Sequence, residues 1–237
     1  MTIPLSFLTD IPPPPPELSL GEHIAETIER SGSVATLLDC LCTADTPALW
    51  SPEADACRPP LTHAALRNFV SEFTIPTSGL HDRLVPNDRV MIVLPTGPEN
   101  AVALLAVSAY HTCAPVNAAC TLEELARDAK RLRAKVILAT PEVVDRLELW
   151  RLRDELRCEI VYLHARSEGP AGLFDLSALQ DDDDDLVVIP RSTSFPTRLN
   201  TLQDQALVLH TSGTSGMKKV GSGALAKILE MNALGQL

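Results

Sequence analysis

Pro86-Asn87-Asp88-Arg89-Val90-Met91-Ile92-Val93-Leu94 sets a turn directly before five consecutive apolar residues. A strand with one wet face alternates apolar with polar residues. A run that is apolar at every position suits a strand buried on both faces, as in a parallel sheet covered by helices. The segments on either side agree. Pro95 to Pro98 reads as a turn, Glu99 to His111 as an apolar helix, and Ala114 to Asn117 as a short strand. Thr121-x-x-Glu124 is a capping box that opens a helix to Leu132. Lys135 to Ala139 is again a strand, and Thr140-Pro141 places a cap residue before a proline at the first helical position. That helix runs, with a break, toward Leu156, and Glu159 to Leu163 is the next strand. Upstream, Thr62 to Phe73 has helical character. Strands separated by helices imply right-handed crossovers, so the spacing predicts an α/β fold with a mostly parallel sheet and flanking helices.

Composition narrows the function. The chain has 237 residues and a formal net charge of −11, a poor balance for binding nucleic acid, which needs clustered Lys and Arg to displace counterions. No apolar stretch approaches the roughly 20 residues needed to span a bilayer, and no secretory signal stands at the N-terminus. The six cysteines form no CxxC pair and no zinc-like spacing with histidine, which predicts buried thiols and a cytoplasmic location. Residues Pro12 to Pro16 suit a stiff polyproline spacer, and Ser19-x-x-Glu22 predicts a helix to about Arg30. The run Asp181 to Asp185 lacks the glycine and terminal glutamate of a calcium loop and reads as a solvated surface segment. His63, His111 and His210 are isolated in the sequence.

Ala206 to His210 reads as a strand, and it feeds into Thr211-Ser212-Gly213-Thr214-Ser215-Gly216-Met217-Lys218-Lys219. The two glycines permit a backbone that a Cβ would forbid. Hydroxyls and successive amides can line a concave anion site, and the lysines add positive charge. A strand, a Gly/Ser/Thr loop and then lysine is the plan of a polyphosphate cradle. The Walker spacing G-x-x-x-x-G-K-[ST] does not fit, because Gly213 and Gly216 are too close and Lys219 follows Lys218.

The segment resembles the T-S-G-[ST]-[ST]-G-x-P-K-G signature of the adenylate-forming, AMP-binding superfamily, which includes acyl-CoA synthetases and nonribosomal-peptide adenylation domains. Upstream, Leu61-Thr62-His63-Ala64-Ala65-Leu66 is similar to the family's L-T-Y-x-E-L, and Pro86 to Leu94 to its P-G-D-R-V-A-I-x-L. Pro98-Glu99-Asn100, Pro115-Val116-Asn117 with Glu123-Glu124-Leu125, and Ala134-Lys135-Val136 follow in the family's order. The resemblance implies that Thr211, Ser212, Gly213, Thr214, Ser215, Gly216 and Lys219 hold the β- and γ-phosphates of ATP with Mg2+. It also implies that the substrate of the full-length enzyme is a carboxylic acid. Lys218 stands where proline is usual, and Val220 where glycine is usual.

The family's downstream segments, which place the adenine, the ribose and the reacting carboxylate, do not follow the loop. The expected division is therefore a Pro-rich lead with a helix (1–45), a partial N-terminal adenylation domain (46–220) and an atypical tail (221–237). In the tail, Gly221-Ser222-Gly223 reads as a break and Ala224 to Leu234 as a short amphipathic helix. The chain is then expected to be a ligase fragment, inactive alone, with an exposed sheet edge that a partner chain could cover. A noncatalytic nucleotide- or partner-binding module, or a nonfunctional truncated product, are the alternatives. No catalytic or metal-binding residue is nominated.

Overall fold

The computed structural model describes residues 36–51, 58–78, 84–179, 198–201, 203–210 and 220–224. The proline run, the helix from Ser19, the acidic run Asp181 to Asp185 and the tail beyond Ala224 lie outside these residues.

A small antiparallel pair, β1 (Pro47–Leu49) and β2 (Leu61–Thr62), precedes the main sheet. Helix α1 (His63–Ser71) starts where the Thr62 hydroxyl accepts from the Ala65 amide, which makes Thr62, the first residue of the segment with helical character, its N-cap. The chain then alternates through β3 (Arg89–Val93), α2 (Pro98–Tyr110), β4 (Thr112–Pro115), α3 (Leu122–Leu132), β5 (Val136–Ala139), α4 (Pro141–Leu147), α5 (Trp150–Leu156) and β6 (Glu159–Ala165). It ends with β7 (Phe174–Ala178), β8 (Gln205–His210) and β9 (Val220–Ala224).

The main sheet has seven strands in the order β7-β6-β5-β3-β4-β8-β9. The inner five are parallel to their neighbours, whereas β7 and β9 are antiparallel to β6 and β8. The parallel sheet predicted from the Val90 run is thus present, and each of its ends is finished by an antiparallel strand.

Alternate residues of the inner strands feed two cores. Val90, Ile92, Val136, Leu138, Val161 and Leu163 pack with α1 and α2, while Met91, Val93, Ile137, Ala139 and Ile160 pack with α3, α4 and α5. This is why the strands carry no polar alternation: both faces are dry. Phe69, Phe73, Tyr110 and Phe174 gather in the first core, with Phe69 and Phe174 edge-to-face at 4.9 Å between centroids.

Local signals placed most boundaries. The Thr121 box is present, with the hydroxyl accepting from the Glu124 amide and the Glu124 carboxylate accepting from the Thr121 amide. Glu148, in the left-handed region at φ 51°, ends α4 and creates the expected break. Two expectations fail. The segment Ala165 to Gln205, whose composition is loop-rich and predicts no strand, contains β7. Its sequence Phe-Asp-Leu-Ser-Ala has a weak strand pattern, and pairing with β6 from Val161↔Ala178 to Ala165↔Phe174 supplies what propensity does not. Gly221-Ser222-Gly223, read as a break, lies within β9, where ladder bonds to β8 override the glycines' preference for disorder.

Candidate nucleotide-phosphate site

Strand β8 runs parallel to β4, so the chain leaves it at the carboxyl edge of the sheet. It returns into β9, and His210 is paired with Val220. Thr211 and Lys219 are therefore each one peptide bond from a residue of a paired rung, and the whole Gly/Ser/Thr stretch begins and ends at one point on that edge. In open α/β sheets, ligands bind outside the carboxyl ends of the strands, near the point where strand order reverses. Here the order reverses between β3 and β5, since β3 leads to β4 on one side and β5 lies on the other.

The predicted site residues Thr211, Ser212, Gly213, Thr214, Ser215, Gly216 and Lys219 themselves lie outside the described residues. What the structure defines is the frame around them. Beside the end of β8, the connection after β4 is held tightly. The Val116 amide donates to Ile92 O at 2.8 Å, the Asn117 side-chain oxygen accepts from the Ala119 amide at 2.9 Å, and the Cys120 amide donates to Asn117 O at 3.0 Å. Arg146 of α4 reaches across to donate to the carbonyls of Ala118 and Cys120. Behind β3, the Asn100 amide donates to Leu94 O and Pro95 O. Sequence reading missed Arg146 and Asn100 because their partners are backbone atoms, which carry no residue signature.

The helix ends at this edge are largely committed to their own side chains. The amino end of α3 is occupied by its capping box, and the exposed Glu123 there has a lowered pKa from its own backbone amide and the Thr121 hydroxyl. Glu142 at the start of α4 is likewise lowered by the Thr140 hydroxyl and its own amide. At α2, Glu99 is engaged by Arg58 at 3.0 Å and by the Gly172 amide at 3.1 Å. Carboxylates at the starts of α3 and α4 repel an added anion, so a polyphosphate at this edge would depend on the loop after β8 for its donors.

Three of the described thiols, Cys40, Cys113 and Cys158, are buried and held protonated. Among the described residues no disulfide forms, and burial pushes Cys40 to about 11 and Cys113 and Cys158 to about 12. Among the same residues, no group of three or more His, Cys, Asp or Glu side chains stands together to hold a metal. No helix there is long and apolar enough to cross a membrane.

A sequence profile described as "AMP-binding enzyme" matches residues 61–220. No curated protein matches the chain. Among solved structures, the chain is similar to an ATP-bound RpMatB-BxBclM chimera, B3, with TM-score 0.53 and 21% identity over 81% of this chain and 36% of the chimera. A second ATP-bound chimera, B1, gives TM-score 0.52 and 20% identity over 80% of this chain and 34% of the other. Apo MatB from Rhodopseudomonas palustris gives TM-score 0.48 and 21% identity over 70% and 30% of the two chains. The two chimeras establish a likeness of fold. The chain spans about a third of the length of these structures.

Proposed function

From the premise that this chain belongs to the AMP-binding enzyme family, we propose that it carries the ATP phosphate-binding part of a carboxylate-activating ligase. The observation that supports this reading most is the anchoring of Thr211–Lys219 between His210 and Val220 at the carboxyl edge of a parallel sheet. In the proposed reaction, a carboxylate oxygen attacks the α-phosphorus of ATP, pyrophosphate leaves, and an acyl adenylate results. Such a transfer is catalysed chiefly by positioning and charge stabilisation. The loop's part is to grip the β- and γ-phosphates. The amides and hydroxyls of Thr211, Ser212, Gly213, Thr214, Ser215 and Gly216 would donate to them, and Lys219 would offset their charge. Mg2+ would arrive on the nucleotide, held by its phosphates and by water. The protein works in the cytoplasm in this reading.

Nucleotide binding and ligase chemistry are separable. Binding needs the loop and its frame, whereas chemistry also needs groups that place the acid and the ribose. The second reading is a noncatalytic nucleotide-binding module, which would need only the loop and its frame. A partner strand, in either reading, would meet β9 or β7, because β9 already pairs the edge of β8 that the sequence left open.

Titration calorimetry with Mg-ATP is the test. The folded chain should bind. Thr214→Ala and Lys219→Ala should each weaken binding by about ten- to a hundredfold, the loss of a hydrogen bond to a charged group. A folded chain that does not bind Mg-ATP overturns the proposal. Acid-dependent exchange of labelled pyrophosphate into ATP then decides between ligase and binding module.

A further inference from the structure

The strand that delivers the loop is specified differently from the strands beside it. β3, from Val90 on, and β5 are apolar throughout, but each is pinned between two parallel neighbours by four-rung ladders. In β8, Ala206, Leu207, Val208 and Leu209 are all apolar, and Leu209 is half exposed. A slip of one residue exchanges the faces of a strand, yet in β8 it would put one aliphatic residue in place of another. Apolar pattern alone therefore defines the height of β8 poorly. The ladder to β4 adds little, since it centres on the single rung Cys113↔Leu207, and the five rungs to β9 join β8 to an edge strand that can shift with it.

At the amino end of β8 stands a polar cluster drawn from distant parts of the chain. Asn200 is fully buried. Its side-chain amide donates to Ser108 O at 3.0 Å and His111 O at 2.9 Å, and its backbone amide donates to Ala109 O at 2.7 Å. It thereby caps the last turn of α2 and the entry to β4. The Thr112 hydroxyl, also buried, donates to Gln205 O at 2.8 Å. The Asn87 side chain accepts from the Gln205 amide at 2.8 Å and donates to Asp204 at 3.2 Å. Asp204 in turn accepts from the Thr201 amide and from Arg198. The bonds of Thr112 and Asn87 to Gln205 do not survive a slip of β8, because each joins a fixed group to one particular rung, while those of Asn200 anchor the chain just before the strand. The Oδ1 atom of Asn200 has no partner among the described residues, which makes it a costly residue to bury for stability alone. A buried polar group of this kind is best suited to fixing register.

We propose that Thr112 and Asn87, with Asn200 anchoring the chain just before them, are the positioning residues of the phosphate loop: they hold Gln205 at the amino end of β8, so that His210 reaches the carboxyl edge at one height. A one-residue slip would move that point by about 3.3 Å, far beyond the roughly 0.5 Å within which a binding constellation must be held. The proposal rests on the ATP reading for its consequence and on geometry alone for the lock.

Hydrogen exchange followed by mass spectrometry, paired with Mg-ATP calorimetry, tests both parts on the full chain. Thr112→Val, which keeps the shape and removes the bond to Gln205 O, should raise exchange in 205–210 and 220–224 at least tenfold while 136–139 and 159–163 keep their protection, and it should weaken Mg-ATP binding at least tenfold. Asn87→Ala, which removes the bond to the Gln205 amide, should do the same, and it carries the test where Thr112→Val does not fold. Exchange that is unchanged, or raised equally in β5 and β6, overturns the lock. Selective loosening of β8 with undiminished Mg-ATP affinity overturns its positioning role. A wild-type chain that binds no Mg-ATP removes the ATP reading and with it the positioning role, while the exchange comparison still decides the lock.

Discussion

The centre of the sheet and its two flanks are held by different forces. In the centre, Ile137 and Leu138 of β5 are fully buried on opposite faces, and every backbone group of the strand has parallel neighbours on both sides. In the flanks, polar contacts decide. Asn200, Thr112 and Asn87 fix β8, while β7 is fixed by a turn seated on α2. There Arg58 links Glu99 at 3.0 Å to Pro170 O at 2.7 Å, and Gly172 packs beneath them at φ +92°. The contrast teaches that apolar burial specifies a layer, whereas an outer strand with a thin or ambiguous apolar pattern needs directional bonds to specify its place within that layer.

The sharpest way to break this contrast is to weaken the centre. Leu138→Ala should cost about 2–5 kcal/mol in chemical denaturation, with all strands lost together, because a buried cavity cannot collapse in a close-packed sheet. Loss of β8 alone in that variant would show that the centre is not the common support. Gly172→Ala comes next. Its Cβ would meet Val102 Cγ2 at 2.9 Å and Leu49 Cδ2 at 3.0 Å, in a backbone conformation that side chains disfavour. The expected cost is about 1–3 kcal/mol, with exchange rising first in 174–178. A neutral result would mean that the turn under β7 moves without consequence.

Acid should separate the flank from the centre more gently. His111 lies at the seam between α2 and β4, and burial lowers its pKa below the usual 6.5 despite its bond to Val85 O and the nearby Asp88; Lys135 adds to the lowering. A histidine held neutral in the folded state contributes stability above its unfolded value and loses it as the pH falls through 6.5. Exchange in 205–210 should therefore rise below about pH 6.5, before that in 136–139, and His111→Gln should flatten the dependence. A second loss should follow from 3.8 down to about 2. Burial raises the Asp204 carboxyl, but the Thr201 amide and hydroxyl and Arg198 outweigh it and hold the group at about 2. Its stabilisation is present above the unfolded value and vanishes as it protonates. A flat profile across both windows would remove the polar account of this flank.

The smallest effect belongs to the exposed pair across β6 and β7, Arg166 with Asp175 at 2.7 Å. Asp175→Asn should change stability by less than about 1 kcal/mol, since solvent and salt screen such a pair. A larger loss would mean that this ion pair, rather than Gly172, secures β7.

Legibility in the sequence follows the same division. The helices α1 and α3 and the strands β3, β5 and β6 were readable because caps and unbroken apolar runs are local signals. Strand β4 begins two residues earlier than Ala114, with Thr112 buried through a bond to Gln205 O that lies ninety-three residues away. Strands β7 and β9 were missed for a similar reason. Phe174-Asp175-Leu176-Ser177-Ala178 and Val220-Gly221-Ser222-Gly223-Ala224 have little intrinsic strand preference, and each becomes a strand because a neighbour offers a ladder. Of the candidate site, the motif Thr211 to Lys219 carried the family resemblance in the sequence and lies outside the described residues. The paired rung His210↔Val220 that flanks it and the bonds of Thr112 and Asn87 to Gln205 were not legible, since hydrogen bonds to backbone atoms leave no trace in residue type.

The sequence by itself determined the α/β class, the two-faced burial of the inner strands and the family signature, since periodicity, capping and a phosphate-binding motif are each written within a dozen residues. Only the tertiary structure decided that β5 lies across β3 from β4, that antiparallel strands finish both ends, and that Thr112 and Asn87 tie the first residue of β8 to its surroundings. Those choices depend on which distant surfaces and backbone groups meet, and a contact across ninety residues is settled by packing rather than by any local preference.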